Sequence, residues 1–155
     1  MLNQKEMMII SNLRKDARMS LTSMSRSTHI PVSTIYENMK HFEDDVIKRY
    51  TCLVDFSKLG YSVRVNVMLR VDRQCRDAAA EYLAKAACVN SLYKINSGFD
   101  FMLEAVFRDM RELDDFIELV EERFRVKSKE VHFVIDDLKK EEFGAEPDLV
   151  RLFCG

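Results

Sequence analysis

Residues 20–43 have the sequence SLTSMSRSTHIPVSTIYENMKHFE. Apolar side chains recur at helical spacing on both sides of Pro31, which predicts two short amphipathic helices instead of one continuous helix. Proline fixes its own φ and disfavours the helical conformation at Ile30, so the first helix must end before this point. The second helix begins at or just after Pro31. The pattern predicts a helix–turn–helix, although any small helical domain can join two helices by a tight turn.

The outward positions of the second helix carry hydrogen-bonding side chains, which can contact base edges or phosphates in a major groove. Candidate base contacts are Ser33, Thr34 and Tyr36, and candidate phosphate contacts are Arg26, Lys40, Lys48 and Arg49. Two roles stay open on the sequence. Glu37 either accepts a hydrogen bond from a cytosine amino group or is a carboxylate that is solvated or paired within its helix. Tyr36 either contacts DNA or packs against the segment that follows the helix.

The flanking residues complete a small N-terminal domain, predicted over residues 1–50. Upstream, Asn3 and Glu6 have the spacing of a capping box before a first amphipathic helix. Downstream, VIKRYTCLVDF at residues 46–56 shows the partial alternation of a β-rich hairpin. A helix–turn–helix followed by such a hairpin is a winged helix, and residues 51–60 are predicted to form a β linker to the next domain.

A second domain is predicted over residues 61–137, where the periodicity changes. The segment YSVRVNVMLRVD, residues 61–72, alternates strictly between apolar and mostly polar side chains, as a half-buried strand does. The later elements are a helix at 77–87, strands at 89–96 and 101–107, a helix at 110–124 and a strand at 131–135. The order βαββαβ is that of a ferredoxin-like α+β sandwich, whose uncovered sheet face needs solvent or a second copy. Residues 138–155 are predicted to be an acidic C-terminal extension.

Composition limits the classes of function. The chain of 155 residues has a net charge of −2, but residues 1–58 carry nine Lys and Arg against seven Asp and Glu. DNA affinity would therefore need a local basic surface doubled by dimerisation, and it would depend steeply on salt. No apolar run approaches the roughly 18 residues of a membrane span, so we expect a cytoplasmic protein. The four cysteines and three histidines are scattered, and we expect no metal, disulfide or cofactor.

The sequence Ser97-Gly98-Phe99-Asp100 lies in the predicted turn between two strands. A glycine there can expose backbone amides that hold a carboxylate, and Asp100 could pair with an ammonium group, so together they suit an amino acid. The alternative is a plain hairpin turn, in which Gly98 supplies a positive φ and Asp100 only satisfies local amides.

Four segments in this order resemble the Lrp/AsnC, or feast/famine, transcriptional regulators over about residues 2–138. They are LNQKEMMIISNLRKDARMS, IPVSTIYENMKHFE, VIKRYTCLVDFSKLGY and SGFDFMLEAVFRD. The resemblance implies a winged helix–turn–helix that binds double-stranded operator DNA. It also implies a ferredoxin-like RAM/ACT-like domain that forms homodimers or higher homo-oligomers and senses an amino acid or a related small metabolite.

The chain departs from this family at several positions. Members commonly have glycine where this chain has His29, at a turn position that favours a positive φ. They usually have serine in place of Pro31, arginine in place of Asn38, and a glycine just before the valine that corresponds to Val46. These differences bear on DNA sequence specificity more than on the fold.

Two other classes of function fit the same sequence. One is an oligomeric interaction module that no longer reads DNA. The other is an enzyme, because siroheme decarboxylases share this two-domain architecture; it would need histidines and arginines grouped around an anionic tetrapyrrole. His29, His41 and His132 show no such grouping in the sequence.

Overall fold

Five α-helices and a four-stranded sheet form the regular structure of the described residues. The computed structural model describes residues 2–148, and it divides the chain into two compact units. One unit comprises residues up to Leu53 together with the described part of the segment that starts at Leu138, and the other comprises Val54–Asp137. The helices of the first unit are α1 (Gln4–Lys15), α2 (Leu21–Thr28) and α3 (Val32–Asp45).

The predicted helix starts are confirmed by their caps. Asn3 Oδ1 accepts from the backbone N–H of Glu6 at 3.0 Å, and the Glu6 carboxylate accepts from the N–H of Asn3 at 2.7 Å. Ser20 caps α2 by accepting from the N–H of Ser23 at 3.1 Å. The three helices enclose an apolar core made of Ile9, Leu13, Met24, Ile30, Ile35 and Phe42. Burial of these side chains fixes which face of α3 remains outside.

The turn between α2 and α3 lies where the sequence predicts it. His29 adopts the left-handed conformation, with φ 58° and ψ 22°, and its N–H donates to the carbonyl of Ser25 at 2.9 Å. The positive φ expected at this position is confirmed. Histidine carries a Cβ, so it occupies this conformation at a cost that glycine would not incur.

The predicted β-rich hairpin and β linker are not observed as strands. Residues 46–62 contain no strand, and the part at Phe56–Leu59 is a 3₁₀ turn capped by Asp55, whose carboxylate accepts from the N–H of Ser57 at 3.1 Å. Alternating apolar residues become a strand only when another strand offers its backbone groups, and no described strand pairs with this segment. The chain leaves α3 as an extended segment in which Lys48, Arg49 and Tyr50 are exposed.

The second unit confirms the ferredoxin-like α+β prediction. Its elements are β1 (Val63–Val71), α4 (Arg76–Lys85), β2 (Val89–Lys94), β3 (Phe101–Phe107), α5 (Met110–Phe124) and β4 (Val126–Phe133). The strand order is β2-β3-β1-β4, and every pairing is antiparallel. The predicted last strand began at residue 131, five residues late. In the edge strand β4, Val126 is followed by the charged sequence Lys-Ser-Lys-Glu, which lacks an apolar alternation.

The two faces of the sheet differ in how they are packed. Val65, Val67 and Leu69 of β1 are buried with side chains of α4 and α5 in one apolar core. On the opposite face, Met68 of β1 pairs with Met102 of β3, and both are half-buried. The two helices of this unit, α4 and α5, pack on the first face, which agrees with the alternation of β1.

The described part of the C-terminal extension groups with the N-terminal helices. Residues 138–148 belong to the same compact unit as α1, and Ala145 is buried. The sequence predicted a separate acidic segment here, and it gave no docking position. The remaining predicted residues of the extension, 149–155, lie outside the described residues.

Candidate nucleic-acid interface and ligand pocket

The outward face of α3 is formed by polar side chains that the core leaves outside. Ile35 and Phe42 are buried, whereas Ser33, Tyr36, Glu37 and Lys40 are exposed and Thr34 is half-buried. Burial of Ile35 and Phe42 fixes the orientation of the helix about its own axis, so residues on the opposite side face solvent. Four of the predicted contact residues are therefore on one helix, and three of them are exposed.

Tyr36 and Lys40 interact with each other on this surface. Lys40 Nζ lies 4.8 Å from the centre of the Tyr36 ring, at the i and i+4 positions of the helix. Tyr36 is 50% exposed, and the segment after α3 forms no hairpin against which it could pack. The pair presents an aromatic ring and a cation side by side, a combination that can contact a base and a phosphate.

The candidate phosphate contacts outside α3 are all exposed. Arg26 lies in the last turn of α2, and Lys48 and Arg49 lie in the extended segment after α3. None of these three cations forms an ion pair within residues 2–148. Tyr50 follows them, and its hydroxyl donates to Glu43 Oε1 at 3.2 Å; burial and this carboxylate raise the pKa of Tyr50 above its usual value.

Asn38, which stands where the resembled family has arginine, is directed back to its own helix. Its side-chain amide donates to the carbonyl of Thr34 at 2.9 Å. A side chain held in this way does not extend toward a backbone phosphate as an arginine would. The exposed acidic residues Glu43, Asp44 and Asp45 lie at the end of the same helix. These three carboxylates oppose the positive charge of Lys40, Lys48 and Arg49 near the end of α3.

In the second unit, a cavity of about 320 Å³ lies at the turn between β2 and β3. It is lined by Arg70, Arg76, Ile95, Asn96, Ser97, Gly98, Phe99 and Asp100. All four predicted effector residues are therefore brought together at one cavity. The two arginines come from the end of β1 and the start of α4, and the sequence analysis did not connect either of them with this turn.

The carboxylate of Asp100 has two partners from elsewhere in the fold. Arg76 Nη2 lies 2.8 Å from Oδ1 of Asp100, and the N–H of Val71 donates to Oδ2 at 3.0 Å. The backbone N–H of Asp100 also donates to the carbonyl of Leu69 at 2.8 Å. The side chain is only 13% exposed. Asp100 thus links the turn to the end of β1. This role differs from the alternative in which Asp100 only accepts hydrogen bonds from amides of its own turn.

The turn itself has an unusual backbone conformation. Ser97 and Gly98 are successive residues with positive φ, at 66° and 104°. The N–H of Ile95 closes the loop by donating to the carbonyl of Asp100 at 3.0 Å. The N–H groups of Ser97, Gly98 and Phe99 donate to no acceptor among residues 2–148. Gly98 therefore supplies the positive φ expected of a hairpin turn, while free amides remain beside the cavity.

The described residues give no sign of a metal centre or a membrane helix. Within residues 2–148, no three His, Cys, Asp or Glu side chains are placed to hold a metal ion together. No helix in that range combines the length and apolar character needed to cross a bilayer.

Comparison with known proteins identifies the class. The family model for the Lrp/AsnC ligand binding domain matches residues 64–142. An HTH-type transcriptional regulator of Pyrococcus furiosus is 26% identical over 140 residues, which cover 90% of this chain and 94% of that protein. HTH-type transcriptional regulator FL11 of Pyrococcus horikoshii is 28% identical over 120 residues, or 77% and 80% of the two chains.

Solved structures show the same fold. LrpC of B. subtilis superimposes with a TM-score of 0.81 at 24% identity, covering 90% of this chain and 98% of LrpC. The regulator NMB0573 of Neisseria meningitidis, solved as a complex with L-Met, superimposes with a TM-score of 0.82 at 19% identity and covers 90% and 94%.

The fold, the matched ligand-binding domain and the names of the relatives define a transcriptional regulator, and the siroheme-decarboxylase alternative is not supported. The chain belongs to the Lrp/AsnC family.

Proposed function

We propose that α2 and α3 form a helix–turn–helix that binds double-stranded DNA through α3 and that the second unit regulates this binding through a small molecule. The observation that carries the DNA part is the exposed row of polar side chains on α3, fixed by the buried Ile35 and Phe42. Ser33, Thr34 and Tyr36 contact bases in this proposal, and Arg26, Lys40, Lys48 and Arg49 contact phosphates.

The wing of this proposed domain is an extended strap instead of a paired hairpin. Lys48 and Arg49 are exposed in it, and the contact between Tyr50 and Glu43 holds the strap near the end of α3. An exposed cation on such a strap contributes to affinity for any DNA sequence, since phosphate contacts carry no base information.

The cavity at Ser97, Gly98, Phe99 and Asp100 is the proposed effector site. Its volume suits a molecule of the size of an amino acid or a related metabolite, and it combines cationic side chains with free backbone amides. NMB0573, a protein of the same fold, was solved with L-Met. That likeness supports a small-molecule ligand for this chain without fixing its identity.

Assembly through the open face of the sheet completes the proposal. Met68 and Met102 lie at its centre, and Tyr93 is 52% exposed at its edge strand. Ile135, just beyond β4, is 98% exposed. A second copy would bury these apolar groups, and two-fold pairing would present two α3 helices to one duplex. We propose a homodimer or a higher homo-oligomer as the DNA-binding form.

Selection of bound genomic DNA fragments, followed by fluorescence anisotropy at about 50 and 200 mM salt, tests the DNA part. We expect sequence-selected fragments to bind more tightly than shuffled fragments of equal length at both salt concentrations. Equal binding of both sets would show an interaction module or a nonspecific binder and would contradict the proposal. Light scattering of the same sample gives the oligomeric state, and a monomer at micromolar concentration would exclude the two-fold arrangement.

Thermal melting of the full chain with each of the twenty amino acids and with small organic acids tests the effector part. A ligand at 100 times its dissociation constant stabilises the folded state by about 2.7 kcal/mol. Unchanged melting temperatures across both panels would remove the effector role and leave the DNA-binding role standing.

A further inference from the structure

We infer that the cavity at the β2–β3 turn binds a small carboxylate without an ammonium group beside it, such as a 2-oxo acid, in preference to the corresponding amino acid. This inference rests on the proposed effector role of the cavity and specifies the chemical class of its ligand.

The first step is the charge of the lining. Two arginines, Arg70 and Arg76, line the cavity against one aspartate, Asp100. The other lining residues are uncharged, so the cavity has an excess of one positive charge. Arg70 is exposed and forms no ion pair with any residue in the described range, 2–148. Its guanidinium is therefore free to bind a carboxylate through two parallel hydrogen bonds.

The second step is that the carboxylate of Asp100 is already bonded to other groups of the protein. An α-ammonium group would need a carboxylate partner, and Asp100 is the acid that lines the cavity. Arg76 already lies 2.8 Å from one oxygen of Asp100, and the N–H of Val71 occupies the other at 3.0 Å. An ammonium group placed here would lie beside the Arg76 guanidinium and would be repelled by it. The carboxylate of Asp100 is thus already paired within the protein. The Arg76 guanidinium lies where the ammonium group of a bound amino acid would have to lie.

The third step concerns the neutral donors. The N–H groups of Ser97, Gly98 and Phe99 have no acceptor among the described residues, and the positive φ of Ser97 and Gly98 turns the peptide units of the loop. Backbone amides of this kind bind anions and carbonyl oxygens, and they offer nothing to an ammonium group. The half-buried Ile95 and Phe99 provide apolar contact for a short side chain.

Matched pairs of probes that differ in the α-substituent test this inference. The pairs are 2-oxoglutarate with L-glutamate, 4-methyl-2-oxopentanoate with L-leucine, and 4-methylthio-2-oxobutanoate with L-methionine. We expect at least one oxo acid to bind the full chain with a dissociation constant at least about tenfold lower than that of its amino acid, by calorimetry and by melting temperature.

Three variants connect the preference to the named residues. Arg70→Gln should weaken binding of the oxo acid by about tenfold, because it removes the free cation. Arg76→Gln should release Asp100 and reduce or reverse the preference, whereas Arg76→Lys should keep it. Arg111→Gln removes an exposed arginine of α5 and serves as the matched control with unchanged affinities. The melting temperature of each variant without ligand establishes that it is folded.

The outcomes separate this inference from the proposed function. Equal or tighter binding of the amino acids to the wild-type chain would overturn the carboxylate preference and leave an effector site in place. Inorganic phosphate binding as tightly as the oxo acids would also overturn it, by showing a general anion site. If no probe binds, both the preference and the effector role fail, while DNA binding is judged separately by anisotropy.

Discussion

Arg14 on α1 donates from Nη2 to both the backbone carbonyl of Glu141, at 2.8 Å, and its carboxylate, at 3.1 Å. The two residues are 127 positions apart in the sequence. This contact attaches the C-terminal extension to the first helix of the chain, and Lys15 adds a longer ion pair with Glu146 at 3.9 Å. The described part of the extension, residues 138–148, is therefore part of the N-terminal unit and not a free acidic tail.

Loss of the Arg14 contact should expose the extension to proteases. The pair is solvent-exposed, so Arg14→Gln should change the free energy of unfolding by less than about 1 kcal/mol. Local opening of the extension should increase by up to about fivefold, the factor that corresponds to 1 kcal/mol. We expect trypsin to cleave after Lys139 and Lys140 faster by up to this factor. Arg18→Gln, which changes another exposed arginine, is the control, and equal cleavage rates in the two variants would contradict the role of Arg14.

Removal of two proposed phosphate contacts should weaken DNA binding without changing which sequence is preferred. In Arg26→Ala combined with Lys48→Ala, each bound subunit loses two phosphate contacts. The slope of log K against log[salt] should fall in magnitude by roughly 1.8 per subunit, or roughly 3.6 for the proposed dimer, since each contact contributes about 0.9. Anisotropy titrations at four salt concentrations measure this slope. The control is Lys85→Ala combined with Arg111→Ala, which removes the same charge from the second unit and should leave the slope unchanged. An unchanged slope in the first double variant would remove Arg26 and Lys48 from the interface.

His29→Gly should stabilise the N-terminal unit. The left-handed conformation costs about 1–2 kcal/mol for a residue with a Cβ, and glycine loses part of this gain through its greater freedom in the unfolded chain. We expect a net increase of about 0.5–1 kcal/mol in the free energy of unfolding, measured by denaturant titration. The same change in α3, His41→Gly, should instead destabilise by about 1 kcal/mol, because His41 has a helical backbone. Destabilisation by both changes would show that His29 makes a contact of its own.

Asp72 should contribute a pH-dependent part of the stability of the second unit. Its carboxylate accepts from the N–H of Gln74 and pairs with Lys127, and these contacts lower the pKa of Asp72 below its usual value of 3.8. A lowered folded-state pKa means that the stabilisation is present above the unfolded pKa and is lost as the pH falls through the folded pKa. The difference in melting temperature between wild type and Asp72→Asn should therefore be largest near pH 6 and should vanish toward the most acidic pH values.

A control separates this effect from a general loss of charge. Asp114→Asn removes an exposed carboxylate of α5 that has no ion-pair partner among the described residues. We expect its melting temperature to follow that of the wild type across the pH range. A difference for Asp72→Asn that stays constant down to acidic pH would mean that the carboxylate charge is not the cause.

The sequence by itself determined the elements whose signals are local. Alternation in β1, helical spacing in α1 to α3 and the turn proline Pro31 each act over a few residues, and the structure has these elements close to their predicted bounds. Phe101–Phe107 and Met110–Phe124 agree with the predicted residues at both ends. The ferredoxin-like order followed because short connections and apolar faces leave few ways to cover one sheet.

Only the tertiary structure decided the contacts between distant segments. Arg76 meets Asp100 because the start of α4 and the β2–β3 turn converge near the end of β1, and no sequence spacing reveals that convergence. Arg14 meets Glu141 for the same reason. The residues after α3 carry a strand-like pattern but form no strand, because a strand exists only with a partner for its backbone. Local propensity is a property of neighbouring residues, whereas charge pairing and strand pairing are set by where the folded chain brings remote groups.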